Sequence, residues 1–412
     1  MRRRREHDEV IDRAFWRERE RPRPSALVVS MVVVVSLLAF ATIAGVAFLW
    51  PHGHLKRSPV VSPHTVGARV IRVVPIRCAV AGNRGCTEVY ARVLGGRGKG
   101  TTTRFEIART SGFNLSTGDR IRVFRTPPPP KGSGPTAHLP KYSFSDFDRR
   151  VAMLELAIVF VVLLLATGRF HGLRALIGLA ASVVLVVEFM IPAILHGHSA
   201  PTVALVGSFA VMLVTIPLSY GLGAKAIAAW LGTAVSLLLA VGLASLFTHL
   251  AHLTGASSEE ALFLSATEAS ISLRGLLLAG MVIGALGVLV DLTVSQASTV
   301  IALRRANPAL RFGGLFRGAL DVGHDHIAAT VNTLVFAYAG ASLPVLLIFS
   351  VGGTTFTDGI NAESVAEEVI ATLVGSIGLI ASMPITTALA ALLAPRLGDR
   401  ALRGEHAHVH AH

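Results

Sequence analysis

Ionisable side chains set inside long apolar stretches are the residues of this sequence that can do chemistry. Along 275–303, Gly280, Gly284, Gly287, Asp291, Ser295 and Ser298 fall on one helical stripe, with Gln296 on a neighbouring face. Glycines on a stripe admit a close helix neighbour, and here the stripe then turns polar. Along 317–332, Asp321, His324 and Asp325 share a face at i, i+3, i+4. His326 points about a quarter-turn away, and Asn332 lies two turns beyond Asp325. Asp291 stands thirteen residues from Arg304 and Asp325 eight from Arg317, so their depths differ by about 8 Å. Consecutive antiparallel helices thus bring both sets to a similar level. Carboxylates and imidazoles so placed can hold a divalent cation, pass a proton, or simply tie two helices together by hydrogen bonds. Glu188, in Val186-Val-Glu-Phe-Met-Ile-Pro192, has a proline one turn later that loosens the backbone. It reads either as a buried interhelical hydrogen bond or as a titrating or ion-binding carboxylate. Glu155 lies one turn into its stretch and can snorkel outward.

The elements that must position these residues are membrane spans. A bilayer core of about 30 Å needs ~20 apolar helical residues. Eight stretches are near or above that length: 26–50, 151–167, 175–195, 200–218, 226–247, 275–303, 327–350 and 369–394. With the N-terminus inside, the inner segments hold nineteen Lys and Arg: nine before Ala26, two at 169–174, Lys225, four at 304–317 and three after Pro395. The short outer loops 193–202, 250–273 and 351–366 hold none, but carry Glu259, Glu260, Glu268, Asp358 and Glu363. That is the positive-inside pattern, and it predicts a mainly α, polytopic eight-span protein with both termini cytoplasmic. The apolar core of 26–50 is longer than a signal-peptide core, and no small-x-small site follows Trp50-Pro-His52, so an uncleaved anchor is expected.

Between the first two spans, alternation replaces continuous hydrophobicity. Val66–Ile76, Thr87–Leu94, Thr101–Ala108 and Arg120–Phe124 have period-two character, with Gly118-Asp119 as a turn before the last. Residues 51–126 are therefore expected outside the membrane as a small β-rich domain, a barrel or sandwich of OB-like type. The chain's two cysteines, Cys78 and Cys86, flank a turn-like heptapeptide on the oxidising side. They read as a disulfide worth roughly 2–3 kcal/mol, or as two thiols packed in the core. Thr126-Pro-Pro-Pro-Pro130 opens a linker, 127–150, expected as a semi-rigid polyproline spacer.

The net charge is +13, with 52% of residues hydrophobic and 15% charged. The basic arm 1–25, led by Met1-Arg-Arg-Arg-Arg5, abuts a span and so reads as topology determinant and anionic-lipid contact rather than a nucleic-acid arm. The basic face of the outer domain can meet anionic envelope polymers or lipid head groups, or serve only solubility. In the tail 396–412, His406, His408, His410 and His412 alternate and can bind divalent cations weakly; a polar tail without a role is the plainer reading. No Gly-x-x-x-x-Gly-Lys loop, nucleophile–base pair or zinc-protease helix motif is present, which argues against an ATP-driven pump in this chain or an intramembrane enzyme. No dedicated cofactor is expected, and a homo-oligomer is left open.

Three segments carry a family likeness: Gly284-Ala-Leu-Gly-Val-Leu-Val-Asp-Leu-Thr-Val-Ser-Gln-Ala-Ser298, Val322-Gly-His-Asp-His-Ile-Ala-Ala-Thr-Val-Asn-Thr-Leu-Val-Phe-Ala-Tyr-Ala-Gly-Ala-Ser342 and Thr372-Leu-Val-Gly-Ser-Ile-Gly-Leu379. Over about 150–395 the chain resembles the YibE/F-like bacterial membrane proteins. The resemblance implies a multipass bacterial plasma-membrane protein, with 151–395 as a seven-span membrane domain, and brings no established activity with it. Members often carry a second acid where this chain has Val290, and Arg where it has His324. Both departures point away from a metal site built on His324 and toward Asp291, Asp325 and Asn332.

Two functional readings follow. A secondary transporter or permease would place a polar site for a small solute or ion between spans six to eight. An envelope-assembly or sensory scaffold would use the outer domain to bind a partner. The charge sorting tests the topology directly. Single cysteines introduced in 1–25, 305–316 and 400–412 should be shielded from an impermeant thiol reagent in intact cells, and those in 60–140 and 255–265 should react. Labelling of 305–316 from outside would overturn the orientation.

Overall fold

The computed structural model describes residues 26–52, 64–77, 85–108, 112–126, 141–268 and 271–396. The basic arm 1–25, Cys78, most of the proline-rich stretch and the histidine tail lie outside the described residues. The chain forms two units, one of residues 56–169 and one of 1–55 with 170–412.

The first unit is built on an antiparallel sheet: β1 (Thr65–Arg77), β2 (Gly85–Val93), β3 (Thr102–Ala108), β4 (Arg120–Arg125) and β5 (Tyr142–Phe147), in the order β3-β2-β1-β4-β5. Alternation drives it. Val89, Ala91 and Val93 of β2, with Val70, Phe105, Ile121 and Val123, put every second side chain into one buried layer. β1 has a register shift between Val70 and Arg72, and such a bulge bends a strand and increases its twist. The expectation from sequence is a small barrel or sandwich of OB-like type; the sheet is a five-stranded half-barrel. Its outer strands approach through the Thr103 hydroxyl, which donates to the Tyr142 carbonyl at 3.2 Å, and among the described residues no β3–β5 ladder forms. The fifth strand falls inside 127–150, which reads from sequence as spacer. Its Tyr-Ser-Phe-Ser-Asp-Phe alternation is short and follows a run of prolines, but Phe144 packs on Phe105, Phe113 and Phe147 to finish the core. Just after β5, Arg149 donates to Asp146 at 2.6 Å; that bond and the Phe147 amide hold the Asp146 carboxyl below its usual range.

Seven helices among the described residues are long and apolar enough to cross a membrane, against eight stretches in the sequence. The difference lies in 151–167 and 175–195. These stretches fall on one helical run, Arg150–Leu195, consisting of α2 (Arg150–Val184), a π-helical turn (Leu185–Met190) and α3 (Ile191–Leu195). Gly168-Arg-Phe-His-Gly172 contains no proline or Asx turn to end a helix, and helical geometry breaks only at Arg169, with φ 46° and ψ −123°. The run is therefore two helical segments that meet at a kink, 150–168 and 170–195, of 19 and 26 residues, each near the length a bilayer core needs.

In the second unit, α1 (Ala26–Leu49) packs on α4 (Ala200–Tyr220). The centre is α5 (Ala224–Leu250), α7 (Leu273–Ala306) and α10 (Glu363–Leu393), each against the other two. α4 covers α7, and α8 (Phe312–Val351) lies along α10 and α7. Short α6 (Glu259–Thr267) and α9 (Phe356–Asn361) sit in the connections. Small residues let the three central helices meet. A Cβ on Gly232 of α5 would overlap the Thr386 hydroxyl of α10, and one on Gly378 would stand 3.4 Å from the Ala240 methyl. Helix association in lipid rests on such packing, since tails are as apolar as leucine.

Cys86 is buried in β2 and disulfide-bonded. Pairing with Cys78, the chain's other cysteine, would close the turn after β1. Mass mapping without reductant should recover one linked peptide pair containing both; recovery of both as free thiols from gently handled protein would remove the pairing.

Candidate functional site

The polar residues of α7 separate by face. Asp291 is on the outside of the bundle, its side chain 76% exposed. Its Oδ2 lies 4.0 Å from Nε2 of His326 on α8, too far for a hydrogen bond, and that Nε2 is buried with no hydrogen-bond partner among the described residues. One turn and a half further, Gln296 is 2% exposed and points the other way, into the junction of α7, α8 and α10. Its amide donates to the Ala319 carbonyl at 3.4 Å, and it fits because Gly323 has no side chain: a Cβ there would collide with the Gln296 amide and with the Met383 sulfur. Ser295 is half-buried between these two faces. Deeper in the core, the Thr293 hydroxyl meets that of Thr233 on α5 at 2.6 Å.

The structure does not draw the remaining sequence-selected residues together. Asp321, His324, Asp325 and Asn332 are all exposed on α8. Among the described residues no three of His, Cys, Asp and Glu gather as a metal-binding group. Glu188 is exposed in the π-helical turn, whereas its neighbours Phe189 and Met190 are buried, Met190 against Gly207. His326 is the residue that sequence reasoning placed off the working face. Its phase relative to Asp325 was legible, but the side of α8 that α7 approaches was not.

The interior of the central helices is polar in a different way. Ser236, Ser376, Thr386 and Thr387 are buried with hydroxyls that lack a hydrogen-bond partner among the described residues. They lie on α5 and α10, and Thr386 sits against Gly232.

The stretch that carries Asp291, Gln296, Gly323 and His326 falls within a family match. The family model of the YibE/F-like proteins matches residues 156–396, more than half of the chain. The chain belongs to the YibE/F-like family. The match takes in all the long helices from α2 to α10 and leaves the half-barrel sheet outside it. No curated protein and no solved structure matches the chain. This YibE/F-like protein is thus a multi-pass membrane protein, and its polar residues must be weighed on their geometry.

That geometry separates the two polar positions by what they do for the fold. Gln296→Leu removes the bond to Ala319 from a buried site and should lower stability by about 1 kcal/mol. Asp325→Asn changes an exposed group and should leave the thermal midpoint in detergent unchanged. Equal midpoints for the two variants would contradict the inward and outward assignment.

Proposed function

We propose that this YibE/F-like protein is a secondary transporter or permease for a small solute or ion in the bacterial plasma membrane, working through Asp291 and His326. The observation that carries the reading is their approach across two long apolar helices, α7 and α8. Ionisable groups within spans are expensive, and they are the groups that serve ion paths and proton relays. A carboxylate 4.0 Å from an imidazole can exchange a proton or a cation without either helix losing a packing contact, because Asp291 is exposed. Gln296 and Gly323 would keep α7 and α8 in register beneath it, so that changes at the pair reach the buried junction with α10.

The reading includes an orientation. Both termini are cytoplasmic, and the Arg150–Leu195 run meets the membrane twice, with Arg169 and Arg174 on the inner side. The supporting observations are the sorting of Lys and Arg and the break in helical geometry at Arg169.

Asp291→Asn keeps size and hydrogen bonding but removes the exchangeable charge. It should preserve the thermal midpoint in detergent while abolishing rescue of a deletion strain's phenotype and any solute or proton flux into liposomes. A stable Asp291→Asn that rescues fully would end the transport reading and leave the scaffold reading ahead.

A further inference from the structure

About 18 Å along α8 from His326, toward the end of the bundle where residues 251–272 and 352–362 connect the helices, Tyr338 stands between two cavities. One, of about 300 Å³, lies between α8 and α10, with Val335, Leu346 and Leu373 among its walls. The other, of about 240 Å³, lies toward α7, against Leu277, Gly280 and Met281. Both are lined by Tyr338 and Glu368, and the second also by Glu367. The Tyr338 hydroxyl reaches α7 at Gly284, where a Cβ would stand 3.3 Å from it. Gly284 thus leaves room for the hydroxyl of a tyrosine that lines both spaces.

The acids at this end are not equivalent. Glu363 is held by one oxygen: its Oε1 accepts from the Thr254 amide at 2.5 Å, the Thr254 hydroxyl at 2.8 Å and the Gly255 amide at 3.0 Å. Glu367 takes the Ser257 hydroxyl on Oε2 at 2.5 Å, but its Oε1 is buried with no hydrogen-bond partner among the described residues. No Lys, Arg or His lines either cavity. Arg274, at the same end, donates to the Leu253 carbonyl at 2.8 Å.

Apolar walls, one aromatic ring and two carboxylates define a narrow class of ligand. An anion would face two like charges. A bare Ca²⁺ or Mg²⁺ needs about six or more oxygen ligands, which two carboxylates and a phenol do not supply. A cation with an apolar body satisfies every part: its charge meets the carboxylates and the face of Tyr338, and its body fills the apolar walls. The acidic connections around this end, with Glu259, Glu260, Glu268 and Asp358, would raise the local concentration of such a cation. We propose that α7, α8 and α10 form a binding site for an amphipathic organic cation, an amine on an apolar body, with Glu367 and Glu368 as counter-charges and Tyr338 as the aromatic wall. The site is separate from the Asp291–His326 pair and stands whether or not that pair moves ions.

The test uses the full chain in lipid nanodiscs and the fluorescent amine dansylcadaverine. Wild type should bind it saturably and release it to benzyltrimethylammonium. Glu367→Gln and Glu368→Gln should each weaken binding at least tenfold, and the N-acetylated probe, with the same shape and no charge, should show no saturable binding. Ala339→Leu, which fills the larger cavity and leaves both carboxylates, should also abolish binding, and it decides the matter should a glutamine variant fail to fold. Absence of saturable binding to wild type, undiminished binding by the folded glutamine variants, or equal binding of the acetylated probe would each overturn the site. Loss of flux in Asp291→Asn with amine binding retained, or the reverse, tells failure of one reading from failure of the other.

Discussion

Close approach of α5, α7 and α10 is the constraint on which the membrane unit depends. In lipid there is little hydrophobic gain in bringing two apolar helices together, so association rests on van der Waals fit and on hydrogen bonds between helices. Gly232 against Thr386, Gly378 against Ala240 and the Thr233–Thr293 bond provide both over three helices. α8 lies along α7 and α10, and at Gly323 the absence of a side chain leaves room for Gln296 and Met383. The Gln296 amide occupies the space a larger residue would need.

That arrangement explains why the polar groups divide as they do. Hydroxyls are small enough to enter the central packing, and a serine or threonine on a helix can turn to a backbone carbonyl, as Thr233 does to Ala229. Carboxylates cannot be buried there without a partner, and no described cation lies in the central packing. Asp291, Asp321 and Asp325 are accordingly on the outer side of α7 and α8, and Glu367 and Glu368 are near the bundle's end. Asp291 gains a neighbour in His326 because α7 and α8 run side by side at that level. The fold thus keeps these ionisable groups out of the central packing, and only some of them, such as Asp291 and His326, face one another across two helices.

The half-barrel unit follows a separate logic. Its core is small, and it relies on aromatic side chains from the last strand and the 112–116 segment to cover one face. A small core gains more than a large one from a covalent tie, which is consistent with the disulfide bond made by Cys86 in β2.

Hydrophobicity over twenty residues and alternation over six are properties of the chain in one dimension. For this reason the long helices, four of the five strands and the family likeness over 150–395 were legible in the sequence. β5 was not, since its alternation is brief and its burial comes from Phe105 and Phe113, residues remote in the chain. Nor was the form of the join between 151–167 and 175–195: Arg169 and Arg174 mark a loop by charge, whereas the structure has a kink at Arg169 with helix on both sides. The sequence also fixed the phase of every residue on its own helix, so that Asp291, Gln296 and Asp325 could be given faces. It could not fix which face a neighbouring helix would meet. That choice is made by the small residues of three helices acting together, and only the tertiary structure decided that Gln296 turns in and Asp325 out. It likewise decided that His326 meets Asp291, and that Tyr338 stands beside two glutamates far from both.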